Sequence, residues 1–124
     1  MTPAERIVAY FSACNSGDAG SVAAHFTADA VVYDTNVRPA RGCDDTNVRP
    51  ARGRDEIGEM WAAVARRWGG ARWSVDGVVE AADGSTAAIE WSMVGTDPRT
   101  GRSFVFRGSE HYRLVDGLID EIRQ

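Results

Sequence analysis

Three side chains able to give, take or share a proton fall on faces that this chain otherwise reserves for apolar residues. Along Ala30-Val31-Val32-Tyr33-Asp34, strand alternation puts Ala30, Val32 and Asp34 on one side and Val31 and Tyr33 on the other. Along Phe104 to Leu114, one side carries Phe104, Phe106, Gly108, Glu110, Tyr112 and Leu114. The opposite side carries Arg107, Ser109, His111 and Arg113 and reads as the wet face. Glu110 is therefore expected among apolar neighbours, where an unpaired carboxylate is costly and tends to hold its proton. Tyr10 shares a helical stripe with Ile7, Phe11 and Cys14. Asp34, Tyr10 and Glu110 thus converge on one apolar cavity, a set suited to acid–base work on a bound molecule.

Other chemistries have little to build on. His25 and His111 stand alone, and no Cys/His spacing fits a zinc site, so no metal is expected. All 14 basic residues are Arg and none is Lys, which excludes a Schiff-base lysine and any lysine-containing phosphate loop. There is no nucleophile elbow and no dinucleotide fingerprint, so no cofactor is expected. A net charge of −4 offers no electrostatic reason to bind nucleic acid or an anionic membrane. Two cysteines, Cys14 and Cys43, are too few for a disulfide framework. With no basic-then-apolar leader and no run of 18 apolar residues, a cytoplasmic location is the expectation.

The elements that must position the three groups are marked by caps and period. Thr2-Pro3-Ala4-Glu5 combines an N-cap, a proline at the first helical position and a capping-box glutamate. The helix it opens carries Tyr10 and stops at Asn15-Ser16-Gly17. A short second helix is expected from about Ala19 to Phe26, with Val22, Ala23 and Phe26 inward, before the strand Ala30 to Asp34. A third, from about Asp55 to Trp68, has Ile57, Met60, Trp61, Val64 and Trp68 as its apolar stripe and Gly69-Gly70 at its end. The period then changes to two, and 72–81, 86–95, 102–114 and 118–123 read as strands joined by turn-forming residues. Helices first and a meander after them predict one α+β domain over 1–124, with three helices packed on a curved, mostly antiparallel sheet. Trp61, Trp91, Phe106 and Tyr112 are expected to line the pocket between the layers.

Between the first strand and the third helix lies a tandem repeat. Residues 34–44 read DTNVRPARGCD and residues 45–55 read DTNVRPARGRD, ten of eleven positions matching. One duplication is no solenoid, and Asp, Asn, Pro, Gly and Arg are loop residues, so 34–55 is expected to be a duplicated loop. Because each unit begins with Asp, Asp45 is a second candidate for the role of Asp34. Arg38, Arg41, Arg49 and Arg52 could gate an acidic substrate, although solvated loop arginines are the simpler reading.

The chain resembles the NTF2-like superfamily, in particular its ketosteroid isomerase and SnoaL-like polyketide cyclase branches. The resemblance rests on Tyr10 running into Asn15-Ser16-Gly17-Asp18, on His25-Phe26-Thr27-Ala28-Asp29-Ala30-Val31-Val32-Tyr33-Asp34, on Gly53-Arg54-Asp55-Glu56-Ile57, and on Glu110-His111-Tyr112-Arg113-Leu114. It implies a cone-shaped fold that commonly dimerises through its sheet. It also implies Asp34 as the proton-shuttling base, with Tyr10 and Glu110 as hydrogen-bond donors to an enolate oxygen. The chain departs from the isomerase pattern in carrying Glu at the second donor position, where the isomerases carry Asp, and in the extra eleven residues after the base. The implied activity is cofactor-independent enolisation of a small apolar carbonyl compound, giving double-bond isomerisation or aldol-type cyclisation. Two other readings stand beside it: a non-catalytic protein that binds an apolar ligand, and a dehydratase using Tyr33, Asp34 and a histidine.

Overall fold

The computed structural model describes residues 1–33, 50–68 and 70–124. Helix α1 spans Pro3–Ser16 and starts as its capping box dictates: Thr2 Oγ1 accepts from the Glu5 amide at 3.1 Å, and the Thr2 amide donates to Glu5 Oε1 at 2.8 Å. Helix α2 is shorter than its sequence suggests, Ala19–Ala23, capped by Asp18 accepting from the Ser21 amide at 2.8 Å. Phe26 does not belong to it. That residue opens strand β1, Phe26–Tyr33, where it is fully buried. Tertiary pairing with another strand overrides the local helical pattern here.

Most of the duplicated segment, including Cys43, Arg38, Arg41, Arg49 and Asp45, lies outside the described residues. Its end is not loop. Ala51–Arg52 forms a two-residue strand, β2, antiparallel to Val31 and Val32 of β1, and Arg54-Asp55 begins helix α3, Arg54–Arg67. The helices therefore do not all precede the sheet, because β1 and β2 come before α3. Strands β3 (Arg72–Glu80), β4 (Thr86–Thr96), β5 (Ser103–Val115) and β6 (Leu118–Arg123) complete an α+β architecture.

The six strands make one sheet in the order β2-β1-β6-β5-β4-β3. Every pairing is antiparallel except β1 with β6, which run parallel because the chain returns to β1 only at its end. Helices α1 and α3 pack on the sheet, and α2 packs against them. Ile7 of α1, Ile57 of α3, Phe26 and Val32 of β1, and Ile119 and Ile122 of β6 are fully buried. Helices α2 and α3 approach closely at Gly58, where any Cβ would lie 2.4 Å from the Ala19 carbonyl oxygen. Among the described residues, no helix is long and apolar enough to cross a membrane.

Candidate active site

Strand alternation and helical spacing aim the site residues at a cavity between α1, α3 and strands β3 to β5. On β4, Ala87, Ile89, Trp91 and Met93 are the buried set, and the residues between them face outward. On β5 the buried set is Glu110, Tyr112 and Leu114. Helix α3 adds Trp61, Val64 and Trp68 from its apolar stripe, and α1 adds Tyr10, Phe11 and Cys14. The enclosed volume is about 430 Å³, within the range of about 300–1,000 Å³ usual for small-ligand pockets. Its walls are aromatic: Trp61 meets Trp73 edge to face at 5.7 Å, and Trp68 meets Phe104 at 5.3 Å.

Two long-range contacts fix these walls. Asn15, at the end of α1, acts as a stand-in strand partner for Trp73. Its Nδ2 donates to the Trp73 carbonyl at 2.9 Å, and its Oδ1 accepts from the Trp73 amide at 2.7 Å. Trp91 lies opposite Gly108 across the β4–β5 ladder, and its indole rests over the glycine. A methyl at position 108 would come within 2.7 Å of that ring, so only glycine leaves room for it.

The closed end of the cavity is protic. Glu110 is 3% exposed and lines the cavity, and the Tyr112 hydroxyl donates to its Oε1 at 2.9 Å. Tyr10 is buried beside it, with its ring 6.4 Å from that of Tyr112. Burial is the main cause that pushes the Tyr10 hydroxyl well above the usual tyrosine range, reinforced by the negative potential of Cys14, Tyr112 and Glu110. The Cys14 thiol, one turn along α1 and in hydrogen-bond contact with Tyr10, is pushed up by the same burial. Both groups are therefore held as donors at neutral pH. The indole N–H groups of Trp61 and Trp91 are also buried in the cavity walls and have no acceptor among the described residues.

Each expected site residue has a definite place, with one exception. Tyr10, Glu110, Trp61, Trp91 and Phe106 all line the cavity. Tyr112 does not; its ring is buried among Tyr10 and its hydroxyl serves Glu110. Asp34 lies outside the described residues, directly after Tyr33 at the end of β1. Arg107, expected on the wet face, contributes to the cavity lining. His111 is exposed, and Tyr33 lies under the Arg123 guanidinium at 4.9 Å, so neither joins the cavity. Trp68 and Met93 were within reach of periodicity as members of their apolar stripes. Arg67 carried no such signal, since its position depends on where α3 ends over the sheet.

A protein with a cystatin-like fold from Methylobium petroleophilum PM1 is 30% identical, with 97% of this chain and 72% of that one covered and a TM-score of 0.75. IdmH, a proposed polyketide cyclase from Streptomyces antibioticus, is 24% identical, with 98% and 89% covered and a TM-score of 0.78. A Mycobacterium tuberculosis protein in complex with estradiol-17beta-hemisuccinate is 14% identical, with 99% and 92% covered and a TM-score of 0.79, a likeness of fold alone. No curated protein matches the chain significantly. The SnoaL-like domain family matches residues 7–122, nearly the whole chain, and the protein belongs to that family.

Proposed function

We propose that the protein is a cofactor-independent proton-transfer enzyme that enolises a small apolar carbonyl compound, leading to double-bond isomerisation or aldol-type ring closure. The observation that carries this reading is an aromatic cavity whose closed end holds Tyr10 and Glu110 side by side. Such a site draws in an apolar body by burial of its surface and sets its one polar atom against the protic end. In this reading Asp34 removes the proton α to the carbonyl and returns it elsewhere on the carbon skeleton. Tyr10 and a protonated Glu110 donate to the oxygen as negative charge develops there. Donors already in place and shielded from water favour the enolate over the ketone, which is how such a site accelerates the step. Tyr112, by donating to Glu110, orients the carboxyl.

The test is turnover of a β,γ-unsaturated ketosteroid, followed by the ultraviolet absorbance of the conjugated enone, for the protein and its Asp34→Asn and Glu110→Gln variants. Removal of the base is expected to lower kcat by about 10²–10⁴-fold. Loss of the acid's charge-bearing option in Glu110→Gln keeps a donor of similar shape and is expected to cost less. Turnover by Asp34→Asn equal to that of the parent protein would remove Asp34 from the mechanism. A non-catalytic apolar-ligand carrier is the second reading, favoured by the steroid conjugate bound in the Mycobacterium tuberculosis relative. Tight steroid binding with no turnover of ketosteroid or polyketide substrates would decide for it.

A further inference from the structure

The cavity is apolar along its walls and acidic at its closed end, yet two arginines contribute to its lining. Arg67 comes from the last turn of α3, and Arg107 from β5. Both are exposed, which puts them at the open side, and neither makes an ion pair among the described residues. Arg67 is held in place by Trp68, with its guanidinium 5.1 Å from the centre of that ring, and Trp68 itself lines the cavity. The pull of a helix C-terminus on cations explains a basic last turn. It does not explain the position, because the adjacent Arg66 is exposed and does not line the cavity. Asp76, a possible partner for Arg107 across the sheet, takes the hydroxyl of Ser92, which sits opposite Arg107 on β4.

We infer that the ligand is an apolar acid: a body that fills the tryptophan-lined cavity and a carboxylate or similar anion that reaches the mouth between Arg67 and Arg107. Arg67 and Arg107 are the positively charged residues of the lining among the described residues, whereas the closed end offers the hydroxyl, thiol and carboxyl of Tyr10, Cys14 and Glu110, which suit a carbonyl oxygen. At the mouth a ligand anion meets two guanidinium groups able to form charge-assisted hydrogen bonds. Because Tyr10 and Glu110 are buried while Arg67 and Arg107 are exposed, the anion and the carbonyl that approaches Tyr10 and Glu110 would sit at opposite ends of the ligand. This assignment rests on the proposed enolisation only for the carbonyl end; the anion end stands on the arginines.

The test uses two fluorescent probes with the same apolar body, anilinonaphthalene sulfonate and its uncharged parent N-phenylnaphthylamine. Each is titrated into the full chain, and binding is read by energy transfer from the tryptophans that wall the cavity. The sulfonate is expected to bind about tenfold more tightly than the parent at low salt, the worth of one or two partly exposed ion pairs. The preference should shrink as salt rises, and it should disappear in the double variant Arg67→Gln/Arg107→Gln. The variant Arg67→Lys/Arg107→Lys, which keeps both charges, should retain most of it. Equal affinities for the two probes in the parent protein, or a preference that survives the double Gln substitution, would overturn the inference. Neither result bears on turnover by the Asp34 and Glu110 variants, so the anion end and the proposed chemistry fail or stand separately.

Discussion

The two halves of β5 share one alternation and have opposite fates. From Glu110 to Leu114 the inward residues are buried, with Leu114 only 7% exposed, whereas Phe106 on the same face is 49% exposed. The difference lies in the neighbours. Strand β4 pairs with β5 over its whole length, but β6 pairs only with His111 to Val115. The buried half therefore sits in the middle of the sheet under α1, and the other half reaches past β6 to wall the cavity. One strand thus combines a part that holds the fold together with a part that is available to a ligand. The protic group Glu110 sits at the junction, where burial is complete and the cavity still reaches it.

Large-to-small substitutions should separate the two halves most strongly. Leu114→Ala is expected to cost about 2–5 kcal/mol in unfolding free energy, since the cavity it leaves cannot collapse. Phe106→Ala, on the same face of the same strand, should cost less than about 1 kcal/mol and show instead as weaker binding of an apolar ligand. Chemical denaturation of both variants would measure this. Similar losses from the two would mean that the open half is core after all.

A smaller effect is expected where the halves meet. In Gly108→Ala the new methyl must displace the Trp91 ring, at a cost of about 1–3 kcal/mol. The ring borders the cavity, so its displacement into that space should cost affinity for ligands that fill the cavity while small ones keep it. Unchanged affinity across a size series would show that Trp91 moves elsewhere. Asn15→Ala works from the opposite wall. It leaves the amide and carbonyl of Trp73 without partners and should cost about 1–3 kcal/mol.

The smallest effects are in the pH dependence of stability, and they differ in sign. Tyr10 and Cys14 resist ionisation in the folded chain more than in the unfolded one. Their contribution is complete below the ordinary thiol and phenol values of 9.0 and 10.0 and is lost as pH rises above them. His25 behaves oppositely. Burial first, and Arg6 beside it second, hold its pKa below the usual 6.5, and its Nδ1 lies 3.0 Å from the Arg6 guanidinium. Its contribution is complete above 6.5 and falls as pH drops through the lowered folded value. Melting temperatures across pH should therefore decline at both ends. Tyr10→Phe should flatten the alkaline limb only, and His25→Gln the acid limb only.

Much of this arrangement is legible in the residues themselves. The capping box at Thr2, the stop at Gly17 and the change of period after Gly70 mark elements by interactions within a few residues, which sequence displays directly. Alternation likewise puts Glu110, Trp91 and Ala30 on inward faces, because a strand's period is a property of its backbone. What tertiary structure alone decided is every relation across the sheet. Phe26 became strand because Ile119 of β6 lies beside it, and Ala51–Arg52 because β1 offered an edge. Asn15 reached Trp73 across 58 residues, and Trp91 settled over Gly108 through a register that neither strand specifies alone. The mouth arginines are the same kind of case: their types are plain in the sequence, but only the end of α3 over the open half of β5 brings them to one cavity. Local rules fix which way a side chain points; which other side chain it meets depends on the packing of distant segments.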